Sequence, residues 1–298
     1  MKLHAIIFSI LVAITAGSCS RHNGHTNDNE AGDRPMVTVS IAPQAWILKA
    51  IAGDSLVINT LLDTGANPET FEPGINDIKR ASGSRLLLLS GNLGFEQQLA
   101  KRLKENAPDL KIVDTSRGIE PIYGTHDHAG HHHHDHGHGT ADPHTWTSVR
   151  NARIIARNML SALVELDPAR ETYYRERGAR LDSSLDSLDT VIASRLDSLT
   201  VKTFMVWHPS LSYFARDYGL EQVSVGMEGR ETTVQGLRTI IDSARRAGAP
   251  VLFVQADFDP RQAETLSHET GAKVVTINPL DPDWSYQINL ITNALDPR

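Results

Sequence analysis

A two-lobed α/β fold is predicted by three observations. Short apolar runs alternate with longer helical periods from Met36 onward. The same strand–helix grammar recurs in both halves, and Ser148 to Leu199 between them carries no strand signal. Each lobe should be a small, mostly parallel sheet flanked by helices, with a long helix joining the two as a rigid spine. The composition agrees: 298 residues, 40% hydrophobic and 22% charged, exclude disorder, collagen and a membrane bundle. A net charge of −7 with no Lys/Arg stripe excludes nucleic acid as a partner.

Residues 1–18 read as a signal peptide: Lys2 and His4, an apolar run from Ala5 to Ala16, then small residues. Cys19, the one cysteine of the chain, stands where a bacterial lipoprotein signal is cut. Ala16-Gly17-Ser18-Cys19 resembles a lipobox, although Leu is usual at the position of Ala16. Cys19 is therefore expected to carry the lipid anchor; the alternative is an ordinary signal peptide with an incidental thiol. Residues 19–35 lack any apolar period and read as a flexible tether.

The N-terminal lobe is assigned to 36–147. Strands are expected at Met36–Ala42, Leu56–Leu62, Arg85–Ser90 and Lys111–Asp114, with helices over Pro43–Ile51, Pro in the first turn, and about Phe95–Asn106. Leu86 to Leu89 is an unbroken apolar run suited to a strand covered on both faces. Within 124–139 lies a low-complexity tract, His126, His128, His131, His132, His133, His134, His136 and His138, with Asp and Gly between. It has no means to pack a core and reads as an exposed, auxiliary metal-collecting loop.

Residues 148–200 are helical in period. Leu181, Leu185, Leu188, Ile192, Leu196 and Leu199, spaced 4, 3, 4, 4 and 3, share one face, and Asp182, Asp186, Asp189 and Asp197 lie off it. Pro168 marks a break, so the second helix should run about thirty residues, or about 45 Å. A coiled-coil dimerisation segment is the alternative, but clean heptads are too few, and the chain is expected to be a monomer. In the C-terminal lobe, 201–298, strands fall near Thr203–Trp207, Gln222–Val225, Val251–Gln255 and Lys273–Ile277.

Three segments can bring chemistry to a cleft between the lobes. Met205-Val206-Trp207-His208-Pro209 puts a histidine at the end of an apolar strand, where open α/β sheets bind ligands. Asp142-Pro143-His144-Thr145-Trp146 follows the His-rich loop, and Asn67-Pro68-Glu69-Thr70-Phe71-Glu72-Pro73 follows the second strand. Glu69, His144 and His208 would give one carboxylate and two imidazoles, a plausible zinc set. Glu72, Glu228 and Asp142 are candidates to accept the second ring N–H of a ligating histidine. Trp146 and Trp207 would wall the site, and His268 is expected on the surface.

These residues resemble the zinc- and manganese-specific solute-binding proteins of bacterial ABC importers, from Val37 to about Ala294. The resemblance includes Asn67 to Pro73, Asn92-Leu93-Gly94-Phe95-Glu96, the His-rich loop before Asp142, and His208 to Phe214. Gly229-Arg230-Glu231, Ala263-Glu264-Thr265 and Gly271 to Val275 also look like its signatures. It implies a metal held between two lobes, and a permease and ATPase as partners. The family's first metal histidine falls at Glu69 here, and the acidic position of a fourth ligand falls at Asn278. Asn278 offers only an amide oxygen, so water or Asp281 is left as the alternative, and the bland reading of Asn278-Pro279 is a turn. The carboxylate hardens the site, which favours Mn²⁺ or Fe²⁺ more than three histidines would, while two imidazoles still favour Zn²⁺.

The expected function is capture of a divalent metal, foremost Zn²⁺, at the periplasmic face of a membrane in the cell envelope, without catalysis. A surface adhesin of the same fold and a secreted metalloenzyme are the alternatives. No H-E-x-x-H spacing supports the latter.

Overall fold

Among the described residues, eight short strands form two four-stranded sheets with the same strand order. The computed structural model describes residues 34–62, 67–123, 140–225, 234–256 and 259–298, and every element below lies within Pro35–Arg298. In the first sheet β1 (Met36–Val39), β2 (Val57–Thr60), β3 (Leu86–Leu89) and β4 (Lys111–Asp114) are ordered β2-β1-β3-β4, all parallel. In the second, β5 (Thr203–Val206), β6 (Glu221–Ser224), β7 (Val251–Gln255) and β8 (Lys273–Ile277) repeat that order as β6-β5-β7-β8, again all parallel. The chain steps outward from an inner strand and then back past it. This puts a topological switch point between β1 and β3 and another between β5 and β7, the places where open sheets accept ligands.

Around the first sheet lie α1 (Ala42–Ala52), α2 (Ile75–Ser82) and α3 (Gly94–Asn106). The strand expected to reach Ala42 stops at Val39, because Pro43 in the first turn of α1 starts the helix at Ala42. Leu86, Leu87 and Leu88 are fully buried, as a strand covered on both faces requires. Helix α2 was not foreseen: it has eight residues, only Ala81 of which is buried, and Ile75 is 86% exposed.

Two long helices follow. Ser148 caps α4 (Val149–Leu166) by accepting from the Asn151 backbone N–H at 3.0 Å. Pro168 opens a short 3-10 turn, after which α5 (Glu171–Asp197) runs 27 residues, or about 40 Å. Leu181, Leu185, Ile192 and Leu196 are buried and Leu188 and Leu199 partly so, packed into the chain's own core. Helices α1 and α4 lie against α5. On its other side Asp182 pairs with Arg153 at 2.8 Å and Asp189 with Arg150 at 3.2 Å.

The second sheet is flanked by α6 (Ser212–Asp217), α7 (Val234–Ala247), α8 (Pro260–Thr270) and α9 (Trp284–Leu295). Strand alternation splits its apolar residues. Phe204, Val206, Phe253 and Ile277 join the large core that also contains the first sheet and α5, whereas Met205, Leu252 and Val254 pack with Ala244 and Leu266 on the opposite face. Helix α9 packs on α1 and α5, with the Trp284 ring 5.2 Å from Trp46. No helix among the described residues is long and apolar enough to cross a membrane.

Candidate metal centre

Three side chains from three loops meet at the carboxyl ends of the strands. Glu69 stands in the loop between β2 and α2, where the Asn67 carboxamide accepts from the Glu69 backbone N–H at 2.8 Å. Phe71 anchors that loop edge-on to Phe95, with ring centroids 4.9 Å apart. His208 follows β5, the inner strand of the second switch point. His144 precedes the 3-10 turn Thr145–Thr147, which leads into the Ser148 cap of α4.

One nitrogen of each histidine and one Glu69 oxygen lie within 4.8 Å of one another. His208 Nε2 is 3.3 Å from His144 Nε2 and 3.4 Å from Glu69 Oε1. Those separations are long for charge-assisted hydrogen bonds, which fall near 2.7–2.9 Å. They match the edge of a tetrahedron with metal–ligand bonds of about 2.05 Å, which is about 3.4 Å. The His144 side chain is only 5% exposed, against 24% for His208 and 34% for Glu69. The trio is closed at His144 and open to solvent on the glutamate side.

His144 is held by its own turn. Asp142 Oδ1 accepts from the His144 backbone N–H at 2.9 Å and from Nδ1 at 2.8 Å, which leaves the Nε2 lone pair facing His208 and Glu69. Burial pushes the Asp142 carboxyl up, but the hydrogen bonds and charge of His144 outweigh it and hold the group below its ordinary value. Of the three carboxylates expected to orient a histidine, Asp142 therefore does so. Glu72 lies on the rim of a cavity of about 320 Å³ beside Glu69, and Glu228 is outside the described residues.

Trp146 is buried, its ring 5.3 Å from His144, and its indole N–H donates to Pro279 O at 2.8 Å. Asn278, in the same turn, spends its side-chain oxygen on the Leu280 N–H at 3.1 Å. Asp281 is engaged as well, accepting from the Asp283 N–H at 2.8 Å and from Gln287 at 3.3 Å. The turn reading of Asn278-Pro279 thus has a direct counterpart here. His268 is 88% exposed. The segment expected to be a signal peptide, Cys19, most of the expected tether, the eight loop histidines and Gly229-Arg230-Glu231 lie outside the described residues.

The sequence alone assigns no role to Glu96, which ends the segment Asn92-Leu93-Gly94-Phe95-Glu96. Its buried carboxylate accepts from the Ser40 hydroxyl and from the backbone N–H groups of Ser90 (2.6 Å), Gly91 (2.8 Å) and Leu93 (3.3 Å). Ser40 follows β1 and Ser90 follows β3, so a carboxylate of the chain itself fills the first switch point. Burial raises its pKa in spite of those four donors.

Comparison with known proteins agrees with this architecture. The family described as zinc-uptake complex component A periplasmic matches residues 37–295. The manganese ABC transporter substrate-binding lipoprotein PsaA of Streptococcus pneumoniae is 26% identical over 287 residues, covering 92% of this chain and 88% of that protein. The zinc-binding lipoprotein AdcA of Streptococcus pneumoniae is 26% identical over 295 residues, covering 94% of this chain and 56% of that protein. A crystal structure of ZnuA superposes with a TM-score of 0.78 and 30% identity, covering 89% of this chain and 100% of that one. The chain belongs to the family of zinc-uptake complex component A periplasmic proteins.

Proposed function

We propose that this chain captures one divalent transition metal, most readily Zn²⁺, on Glu69, His144 and His208 and delivers it to an ABC-type permease with its ATPase. The observation that carries this reading is the spacing of the three ligand atoms, with 3.3 and 3.4 Å edges suited to a tetrahedral ion. Two neutral imidazoles and one carboxylate leave the bound complex with a single positive charge. Water is the simplest fourth ligand, since Asn278 and Asp281 already serve their own turn. The ion enters and leaves past Glu69, the most exposed of the three. Nothing in such a cycle requires a bond in the cargo to break, so the chain acts as a carrier and not as an enzyme. Anchoring through Cys19 would keep it at the periplasmic face of a membrane, and the His126–His138 tract would gather further ions weakly.

Mn²⁺ is the second reading, favoured by the hard carboxylate of Glu69. The relatives named for manganese and for zinc leave both ions in view. Native mass spectrometry of protein purified without added metal, followed by competition among Zn²⁺, Mn²⁺ and Fe²⁺, decides between them. One ion per chain lacking 124–139, with Zn²⁺ displacing the others, is the expected result. No retained ion would overturn the reading.

A further inference from the structure

Tyr213, fully buried on α6 and close after His208 in the chain, sends its hydroxyl to a distant segment. The oxygen accepts from the Ile122 backbone N–H at 3.2 Å, and the proton goes to Asp142 O at 2.9 Å. Ile122 and Asp142 are also paired with each other, since the Asp142 N–H donates to Ile122 O at 2.8 Å. An antiparallel pair of this kind ordinarily exchanges both N–H···O bonds. Here the Tyr213 hydroxyl takes the place of the second one, between the Ile122 N–H and the Asp142 carbonyl. Tyr123 and Ala141, the next pair, form an antiparallel bridge. Residues 124–139, outside the described residues, join the two sides of this neck. The same helix holds the neck at a second point: Arg216 lies 5.0 Å over the Tyr213 ring and donates to Glu120 O at 3.0 Å.

The neck leads directly into the metal candidates. Asp142 Oδ1 holds His144 through its backbone N–H and its Nδ1, so a shift of the Asp142 backbone carries to the imidazole. A lone two-stranded ribbon is marginally stable in water. Support for Asp142 must therefore come from outside the pair, and α6 supplies it. We propose that Tyr213 is a positioning residue for metal capture: its hydroxyl locks the Ile122–Asp142 pair to α6 and so holds the His144 turn opposite His208, independently of residues 124–139. The proposal rests on the reading that His144 and His208 hold metal. Both histidines are then keyed to one short segment, His208 by belonging to it and His144 through Tyr213 and Asp142.

Tyr213→Phe removes the hydroxyl and leaves the ring and the net charge in place. In the full chain, Zn²⁺ affinity of the tightest site, read by competition with a chelator, should fall about tenfold, the low end for groups that support a ligand from outside. In the chain lacking 124–139, only Tyr123, Thr140 and Ala141 connect Ile122 to Asp142. A connection of that length closes a hairpin by itself, so the same substitution should there cost less than about threefold. A hydroxyl that only added stability would lower the unfolding midpoint of both chains and leave Zn²⁺ affinity alone. In metal-free full chain, the Ile122 amide should exchange with solvent faster in Tyr213→Phe than in the wild type, because its acceptor is gone. An Ile122 amide that exchanges no faster, a Zn²⁺ affinity unchanged in the full chain, or an equal loss in both chains would overturn the proposal. Failure of the wild type to bind Zn²⁺ would instead overturn the metal reading, and the Ile122 exchange rate would still decide the clamp.

Discussion

At the scale of single residues, the site is decided by how far apart its polar groups stand and which of them serve their own turns. His144 Nδ1, Asn278 Oδ1 and Asp281 are spent on their own turns, whereas His144 Nε2, His208 Nε2 and Glu69 Oε1 face one another at distances too long for strong hydrogen bonds. His144→Ala, His208→Ala and Glu69→Ala should each weaken Zn²⁺ binding by more than the roughly 10- to 100-fold expected for Asp142→Asn, which only misorients His144. Competition titrations on the four variants check the ranking. Glu69→His should shift selectivity from Mn²⁺ toward Zn²⁺ by replacing a hard oxygen with an imidazole. Glu96→Gln puts an amide N–H among backbone donors and should cost about 1–3 kcal/mol, measured by urea unfolding. The three metal candidates were legible because unusual residue types stand in loops after strands. Glu96 was not, because the groups that use it are backbone N–H groups and a hydroxyl that only the folded chain brings near.

At the scale of elements, α5 separates burial from surface charge. Leu185 is 1% exposed on the apolar stripe, and Leu185→Ala should cost about 2–5 kcal/mol. Arg153 bridges to Asp182 and Asp186 but stays 25% exposed, so Arg153→Ala should cost about 1 kcal/mol or less, most of it lost in high salt. Past the end of α9, Asp296 anchors the chain terminus to α5. A hydrogen bond from Arg298 above all, opposed by burial and joined by Arg195, holds its carboxyl down at about 2. A carboxyl depressed on folding stabilises above its unfolded pKa of about 4, and that contribution disappears as pH falls through about 2. Unfolding midpoints across that range should fall less steeply in Asp296→Asn than in the wild type. The parallel strands and α5 were legible because buried parallel strands are continuously apolar and a long helix repeats its stripe many times. Helix α2, with one buried residue, is too short at eight residues to repeat such a stripe, and the end of β1 was set by Pro43 and not by hydrophobicity.

At the scale of the whole molecule, two sheets of identical order turn their switch points to different uses. The first is filled by Glu96, and the second presents His208. The lobes share one continuous core through α5, and α9 returns from the second sheet to pack on α1. The two histidines and the glutamate are thus carried by elements of one shared core, with Glu69 on an exposed loop beside a cavity. The most direct test is X-ray absorption at the zinc edge on the chain lacking 124–139, loaded with one equivalent of Zn²⁺. The expected spectrum shows two imidazole nitrogens at about 2.0–2.1 Å and carboxylate oxygen at about 2.0–2.2 Å, with one imidazole lost in His144→Ala. A first shell of oxygen alone, or a spectrum unchanged by His144→Ala, would contradict it.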